Sequence, residues 1–125
     1  MKILSVDDSR ILRQIVKNAV EILGYDFLEA ENGKKAFEIL EKEGADISLI
    51  LLDWNMPEMD GISFLKKIKS DERFKNIPVT MLTTEGEKTK MIEAVKAGAK
   101  NYLTKPFTQE NLITKIQESL GMGMF

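Results

Sequence analysis

The side chains best suited to chemistry lie in four short segments that are far apart along the chain. Asp7-Asp8 and Asp53 supply carboxylates, Thr83-Thr84-Glu85 supplies hydroxyls and an acid, and Lys105 supplies a compact cation. The chain has no Cys and no His, so thiol nucleophiles, imidazole bases and the usual zinc sites are excluded. The remaining nucleophiles are hydroxyls, lysines and carboxylates, and a carboxylate can accept a phosphoryl group as an aspartyl phosphate.

Asp7, Asp8 and Asp53 would repel one another if they lay in a single pocket. At 4 Å each pair costs about 4 kcal/mol under an effective dielectric of about 20, so a cation would be needed to hold them together. Without Cys or His, oxygen must bind any metal, which points to hard cations such as Mg²⁺, Mn²⁺ or Ca²⁺, and Mg²⁺ suits a site of a few carboxylates with waters that a phosphoryl oxygen can replace. Lys105 and the Thr83 hydroxyl would add the positioning and charge neutralisation that phosphoryl transfer requires.

Short apolar runs alternate with amphipathic stretches along the whole chain, which predicts alternating strands and helices. Strands are predicted at 3–6, 25–30, 47–52, 78–82 and 100–104, and helices over 12–23, 36–40, 62–68, 91–97 and 112–120. Gly24, Gly44 and Gly98 stand where helices commonly end. Strict alternation predicts an α/β fold, a doubly wound parallel sheet of five strands with helices on both faces.

The candidate side chains all follow a predicted strand: Asp7 and Asp8 the first, Asp53 the third, Thr83 the fourth and Lys105 the fifth. Ligands of such sheets bind beyond the carboxyl ends of the strands, so we expect these side chains to converge. Each has a simpler interpretation, since Asp8 or Ser9 could cap the first helix and Thr83 or Thr84 the fourth. Their coincidence at one edge of the sheet is what favours a site.

Length and composition limit the class of protein. With 125 residues and 14.2 kDa, we expect a single domain over 1–125 without an output domain. A net charge of −2 argues against a nucleic-acid partner. The sequence contains neither a signal-peptide core nor an apolar run of about 20 residues, so we expect a cytoplasmic protein that does not enter a membrane.

Several short motifs occur in an order that is typical of one family. They are Asp7-Asp8, Asp53-Trp54-Asn55-Met56-Pro57, Met59-Asp60-Gly61, Thr83 and Lys105-Pro106-Phe107-Thr108. Together they resemble the receiver domains of two-component response regulators, and among these the CheY-like chemotaxis group. The resemblance, not the periodicity, implies the flavodoxin-like strand order 2-1-3-4-5, with five helices on two faces.

The resemblance also implies a role for each candidate residue. Asp53 would be the phosphoacceptor, and Mg²⁺ would be held by Asp7, Asp8, Asp53 and the backbone carbonyl of Asn55. Lys105 and Thr83 would contact the phosphoryl group. Such a protein is not a classical enzyme, although it catalyses its own phosphorylation and dephosphorylation.

Four further residues would control switching or access to the site. Tyr102 matches the aromatic that changes rotamer with the threonine, although a half-buried strand aromatic is an equally good interpretation. Asn55 and Glu85 would flank the route to Asp53. Thr84, which stands where many receivers have Ala, Gly or Ser, would crowd that route. Pro106 follows the lysine, in a position that favours a cis peptide bond.

The resemblance implies partners as well. A CheA-like sensor histidine kinase would donate the phosphoryl group, and a phosphatase could remove it. The face formed by the fourth helix, fifth strand and fifth helix would bind a target such as the flagellar motor switch. Alternatively, the protein would act as a phosphate sink or adaptor in another two-component pathway. We expect a monomer.

Two enzymatic or cofactor-binding classes remain as alternatives. A phosphatase of the haloacid-dehalogenase type also uses an Asp nucleophile with Mg²⁺, but it places that Asp after the first strand, with a second Asp two residues later. A flavodoxin-like FMN carrier needs a glycine- and hydroxyl-rich loop after the first strand. Here that position holds Asp7-Asp8-Ser9, which disfavours the carrier.

Overall fold

Strands and helices alternate along the chain as the sequence predicts. The computed structural model describes residues 1–54, 56, 60–83 and 88–121. The strands in this part of the chain are β1 (Lys2–Val6), β2 (Asp26–Ala30), β3 (Ile47–Asp53), β4 (Val79–Thr83) and β5 (Asn101–Thr104). The α-helices are α1 (Arg10–Ile22), α2 (Gly33–Glu43), α3 (Gly61–Lys69), α4 (Lys88–Lys96) and α5 (Gln109–Ser119).

The strands form one parallel sheet in the order β2-β1-β3-β4-β5, which confirms the predicted doubly wound fold. The chain moves outward from β1 to β2 on one side and from β3 to β5 on the other. The order therefore reverses between β1 and β3, and a crevice opens beyond their carboxyl ends. Asp7 and Asp53 come from these two strands.

Two hydrophobic cores cover the two faces of the sheet. Helices α2, α3 and α4 pack on one face, and α1 and α5 pack on the other. The apolar run of β3 contributes to both, because successive side chains of a strand point to opposite faces. Leu49 and Leu51 pack with α1 and α5, whereas Ile50 and Leu52 pack on the opposite face. This two-sided burial explains why β3 is continuously apolar and lies at the centre of the sheet.

Side-chain caps begin four of the described helices: Ser9 for α1, Asn32 for α2, Asp60 for α3 and Thr108 for α5. Ser9, not Asp8, therefore caps α1, and the Asp8 side chain remains exposed. Any capping of α4 by Thr84 lies outside the described residues. None of the described helices is long and apolar enough to cross a bilayer.

One element boundary differs from the prediction in a way that matters for the site. Strand β3 continues one residue further, so Asp53 is its last residue and pairs with Leu82 of β4. Helix α2 ends at Glu43 with Gly44 as its C-cap, as predicted, and a short 3-10 turn over Gly44–Asp46 leads into β3. Because Asp53 belongs to the hydrogen-bonded sheet, its backbone is held more firmly than a loop residue would be.

Gly61→Ala should destabilise the protein, because α3 begins against the end of β3. A Cβ atom at position 61 would lie 2.4 Å from the carbonyl oxygen of Asp53 and 2.9 Å from the Cα of Trp54. These are backbone atoms, which cannot move aside as a flexible side chain would. We expect the free energy of unfolding in urea to fall by about 2–3 kcal/mol.

Lys66→Ala, on the exposed side of α3, is the matched control and should change the same free energy by less than about 0.5 kcal/mol. Equal effects of the two substitutions would show that the close approach at Gly61 carries no cost.

Candidate functional site

Three carboxylates from two segments meet at the crevice between β1 and β3. Asp7 and Asp8 follow β1, and Asp53 ends β3. One oxygen of each lies within 4.8 Å of the others, which corresponds to a repulsion of at least about 3.5 kcal/mol per pair at a dielectric near 20. Asp7 and Asp53 are buried, at 1% and 3% exposure, whereas Asp8 is exposed. The parallel sheet thus creates the predicted acidic cluster.

Asp7 is held in place by backbone groups. Its N–H donates to the carbonyl of Ala30 at 3.1 Å, and its Oδ1 accepts a hydrogen bond from the N–H of Ser9 at 2.8 Å. Its buried Oδ2 has no hydrogen-bond partner among the described residues. Burial raises the pKa of the Asp7 carboxyl above its usual 3.8, and the charge of Asp53 raises it further, while the Ser9 hydrogen bond lowers it.

Lys105 supplies a cation to this cluster from the end of β5. Its Nζ lies 2.8 Å from Oδ1 of Asp53 and 3.5 Å from Oδ2 of Asp7. Its side chain is only 14% exposed. The ammonium group therefore bridges the two buried carboxylates and offsets part of their mutual repulsion.

Backbone hydrogen bonds connect the ends of the three strands that carry these groups. The N–H of Lys105 donates to the carbonyl of Thr83 at 2.6 Å, and the N–H of Trp54 donates to the carbonyl of Leu82 at 3.0 Å. Thr83 is the last residue of β4 and is 2% exposed. The candidate hydroxyl therefore lies at the same edge of the sheet as Asp53 and Lys105.

Two predicted switch residues lie on or after β5. Tyr102 is half-buried, packs against the core that contains α4, and lines a shallow depression with Met91 and Val95 of α4. The peptide bond between Lys105 and Pro106 is cis, and Pro106 is exposed. Asn55, Thr84 and Glu85 lie outside the described residues, so their predicted roles at the metal and along the access route stay predictions.

Sequence reasoning named Gly61 only as part of a motif and gave Arg13 no role, although both residues hold the site. Gly61 allows α3 to approach Asp53, and its N–H donates to the carbonyl of Trp54 at 2.9 Å. Arg13 of α1 contacts the backbone of Asp7. The signal for Arg13 was weak, since an arginine one turn into an amphipathic helix is ordinarily a solvated surface residue.

The donor set fits a hard divalent cation. Lys105 neutralises one of the three carboxylates, so a divalent ion would balance the other two. The Oδ2 of Asp7 accepts no hydrogen bond from the described residues and has the Lys105 ammonium at 3.5 Å, and oxygen ligands are those that Mg²⁺ prefers. The site therefore combines two buried carboxylates, an exposed third carboxylate and an ammonium group that contacts both buried ones, a donor set that fits a divalent ion.

Comparison with known proteins identifies the class. The model of the response regulator receiver domain matches residues 3–117, so the chain belongs to this family. The predicted family is confirmed, and its membership argues against the phosphatase and FMN-carrier alternatives. Receiver domains bind Mg²⁺ at an acidic cluster, and Asp7, Asp8 and Asp53 form a cluster of this kind.

Within the family the chain is a CheY-like response regulator. It is 52% identical over 122 residues to the chemotaxis protein CheY1 of Helicobacter pylori, covering 97% of this chain and 98% of that protein. It is 45% identical over 124 residues to a CheY homologue of Campylobacter jejuni, covering 98% and 95%. The solved structure of Vibrio cholerae CheY4 has a TM-score of 0.88 at 37% identity, covering 95% of this chain and 98% of that one.

Replacing Asp7 by Asn should stabilise the Mg²⁺-free protein at neutral pH. Because the pKa of Asp7 is raised in the folded state, the unfolded chain loses this proton first as the pH rises. The stability of the unsubstituted protein should therefore fall from about pH 4 upward until the folded-state pKa is passed, and the Asn variant should lack this fall. We expect a gain of about 1–2 kcal/mol, measured by urea unfolding with a chelator present.

Asp8→Asn is the control, because the Asp8 side chain is exposed and removing its charge should change stability less. If Asp7→Asn instead lowers the free energy of unfolding and keeps the same pH dependence, the buried Asp7 carboxyl is not the destabilising group.

Proposed function

We propose that this chain is the phosphoacceptor of a chemotaxis two-component pathway, and that Asp53 takes a phosphoryl group from a phosphohistidine on a CheA-like kinase. The observation that carries the proposal is the contact of Lys105 Nζ with Asp53 Oδ1 at 2.8 Å, beside carboxylates that lie within 4.8 Å. Phosphoryl transfer to a carboxylate needs a carboxylate nucleophile, a cation that contacts the phosphoryl group and ligands for a metal ion. Asp53, Lys105 and the acidic cluster would supply them.

In the proposed reaction, a carboxylate oxygen of Asp53 attacks the phosphorus of the phosphohistidine. A phosphorus–oxygen bond forms while the phosphorus–nitrogen bond breaks, and the imidazole leaves. Asp53 is suited to this role because β3 holds its backbone and the crevice between β1 and β3 opens beyond it. The donor histidine must come from the partner, since this chain has none.

Mg²⁺ would neutralise the charge that develops on the phosphoryl oxygens. Asp7, Asp8 and Asp53 would hold it, together with the backbone carbonyl of Asn55. Support for this assignment comes from the charge balance of the cluster and from the buried Oδ2 of Asp7, which accepts no hydrogen bond from the described residues. Mn²⁺ has the same oxygen preference and would substitute.

Lys105 and Thr83 would bind the transferred phosphoryl group. The Lys105 ammonium already contacts the Asp53 carboxylate, which would be phosphorylated, so it could form an ion pair with the attached phosphoryl group. Thr83 lies at the carboxyl end of β4, and its carbonyl accepts the N–H of Lys105. A movement of Thr83 towards the phosphoryl group would therefore act on the backbone that continues from β5.

The surface formed by α4, β5 and α5 would bind the target. Ile92 and Val95 of α4 are each 54% exposed, and with Tyr102 they line a depression of about 360 Å³. Exposed apolar side chains beside a groove are typical of protein–protein contacts. Phosphorylation would shift a two-state equilibrium of this face, with Tyr102 as the residue that reports the change.

Two outputs are compatible with this chemistry. The proposed target is the flagellar motor switch, because relatives that match over nearly their full length are chemotaxis proteins. A phosphate sink or adaptor is the second candidate, and it would need no target on the face of α4. Either output is compatible with a monomeric, single-domain protein that lies in the cytoplasm and is accessible to a phosphatase. These properties stay predictions.

Incubation with Mg²⁺ and acetyl phosphate should label the protein on Asp53. The label should resist acid and be released by hydroxylamine, as expected of an acyl phosphate. Asp53→Asn should abolish labelling, because an amide oxygen is a poor nucleophile, whereas Lys105→Arg should retain some labelling. Incorporation of labelled phosphate and peptide mass spectrometry measure both results.

Asp46→Asn is the matched control, since Asp46 is exposed and precedes β3 at the opposite end of the strand. This variant should be labelled like the unsubstituted protein. Labelling of the Asp53→Asn protein at an unchanged level would remove Asp53 as the phosphoacceptor.

Val95→Asp should block binding to the motor switch protein of the same genome after treatment with beryllofluoride. A buried carboxylate in an apolar interface costs several kcal/mol, so affinity should fall at least about tenfold. Ile22→Asp is the control, because Ile22 is an apolar residue on α1 that is at least as exposed as Val95. Absence of any binding by the treated, unsubstituted protein would favour the phosphate sink.

A further inference from the structure

Arg13 is a charged residue of α1, and the proposed function assigns it no role. Its side chain is only 13% exposed. Its Nη1 donates to the backbone carbonyl of Asp7 at 2.7 Å, and its Nε donates to Oε1 of Glu29 at 2.7 Å. One guanidinium therefore connects helix α1, the segment after β1, and the edge strand β2.

The Arg13 contact completes the set of bonds that fixes Asp7. The N–H of Asp7 donates to Ala30, and one carboxylate oxygen accepts from Ser9. The carbonyl accepts from Arg13. That carbonyl belongs to the peptide bond joining Asp7 to Asp8, so its orientation determines where the Asp8 carboxylate can point.

A fixed backbone matters more for the orientation of Asp8 than for that of Asp7 or Asp53. Asp7 and Asp53 are buried and surrounded by protein, whereas the Asp8 side chain is exposed. An exposed side chain loses rotamer freedom when it binds a metal, and a fixed backbone lowers that cost.

We propose that Arg13 is a positioning residue for Mg²⁺, which holds the Asp7–Asp8 peptide so that the two carboxylates converge with Asp53. Glu29 acts through Arg13 by anchoring the guanidinium to β2. The inference rests on the proposed function, in which these three carboxylates bind the ion.

A positioning role and simple electrostatic repulsion predict opposite effects of removing Arg13 on the affinity for Mg²⁺. A guanidinium near the site repels a divalent cation, so loss of its charge alone would tighten Mg²⁺ binding. Loss of a positioning contact would weaken it, because Asp8 would then sample orientations that do not reach the ion. The sign of the change therefore identifies the role.

Arg13→Gln should weaken Mg²⁺ binding about tenfold, the usual effect of losing a group that orients a metal ligand. Titration calorimetry with MgCl₂ gives the dissociation constant directly. The emission of Trp54 gives a second readout, since Trp54 is the sole tryptophan and follows Asp53 in sequence. Urea unfolding with a chelator reports stability separately from metal binding.

Arg13→Lys keeps the charge but replaces two separated nitrogens by one. If only the charge of residue 13 matters, this variant should bind Mg²⁺ with unchanged affinity. If Arg13 positions the ligands, the variant should bind Mg²⁺ more weakly. This comparison with the unsubstituted protein can be made even if Arg13→Gln fails to fold. Arg13→Gln combined with Glu29→Gln should bind Mg²⁺ no more weakly than Arg13→Gln alone. Arg73→Gln, which breaks an exposed ion pair with Asp71, is the control and should leave Mg²⁺ binding unchanged.

Each outcome decides between the two proposals. If the unsubstituted protein does not bind Mg²⁺, the proposed function fails and the role of Arg13 fails with it. If that protein binds Mg²⁺ and the Arg13 variants bind it equally well or more tightly, only the role of Arg13 is overturned. Lower stability of these variants with an unchanged dissociation constant would likewise overturn it, since Arg13 would then be purely structural.

Discussion

The mutual repulsion of three carboxylates, partly offset by one lysine, is the interaction on which the rest of this structure depends. Asp7 and Asp53 are buried beside Asp8, and Lys105 bridges the two buried groups. Burial and neighbouring charge raise the pKa of Asp7, which means that its ionised form costs stability in the metal-free protein. The same excess of negative charge would attract a divalent cation, so a local cost in stability accompanies the proposed function.

The sheet tolerates this cost because it holds the backbone around the site firmly. Strand β3 is buried on both faces, and hydrogen bonds connect its end to β4 and the end of β4 to β5. Helix α3 approaches Asp53 closely enough that only glycine fits at position 61. The segment after β1 is fixed by contacts to Ala30, Ser9 and Arg13. The backbone can therefore hold the like-charged side chains close together at the carboxyl ends of β1 and β3.

This arrangement links the acidic cluster to a distant surface through short connections. Lys105 contacts Asp53 and directly follows β5, while Thr83 ends the neighbouring strand and bonds to the Lys105 backbone. Tyr102 lies two residues before Thr104 on the same strand and borders the apolar depression beside α4. A new charge at Asp53 would pull on Lys105, and the strand that carries Lys105 also carries the proposed reporter of the target surface. The family of the chain, the response regulator receivers, is consistent with such a two-state device.

The sequence alone determined the alternation of strands and helices, the excluded chemistries and the candidate side chains, because periodicity and residue type are local properties. It also indicated that Asp53, Thr83 and Lys105 would meet, since parallel strands end at one edge. It could not determine that Ser9 rather than Asp8 caps α1, that Gly61 adjoins Asp53, or that Arg13 reaches both Asp7 and Glu29. The Ser9 cap is a local contact, but both Asp8 and Ser9 have side chains able to make it, so residue type could not choose between them. The contacts of Gly61 and Arg13 depend on how α3 and α1 pack on the sheet, which only the tertiary structure decides.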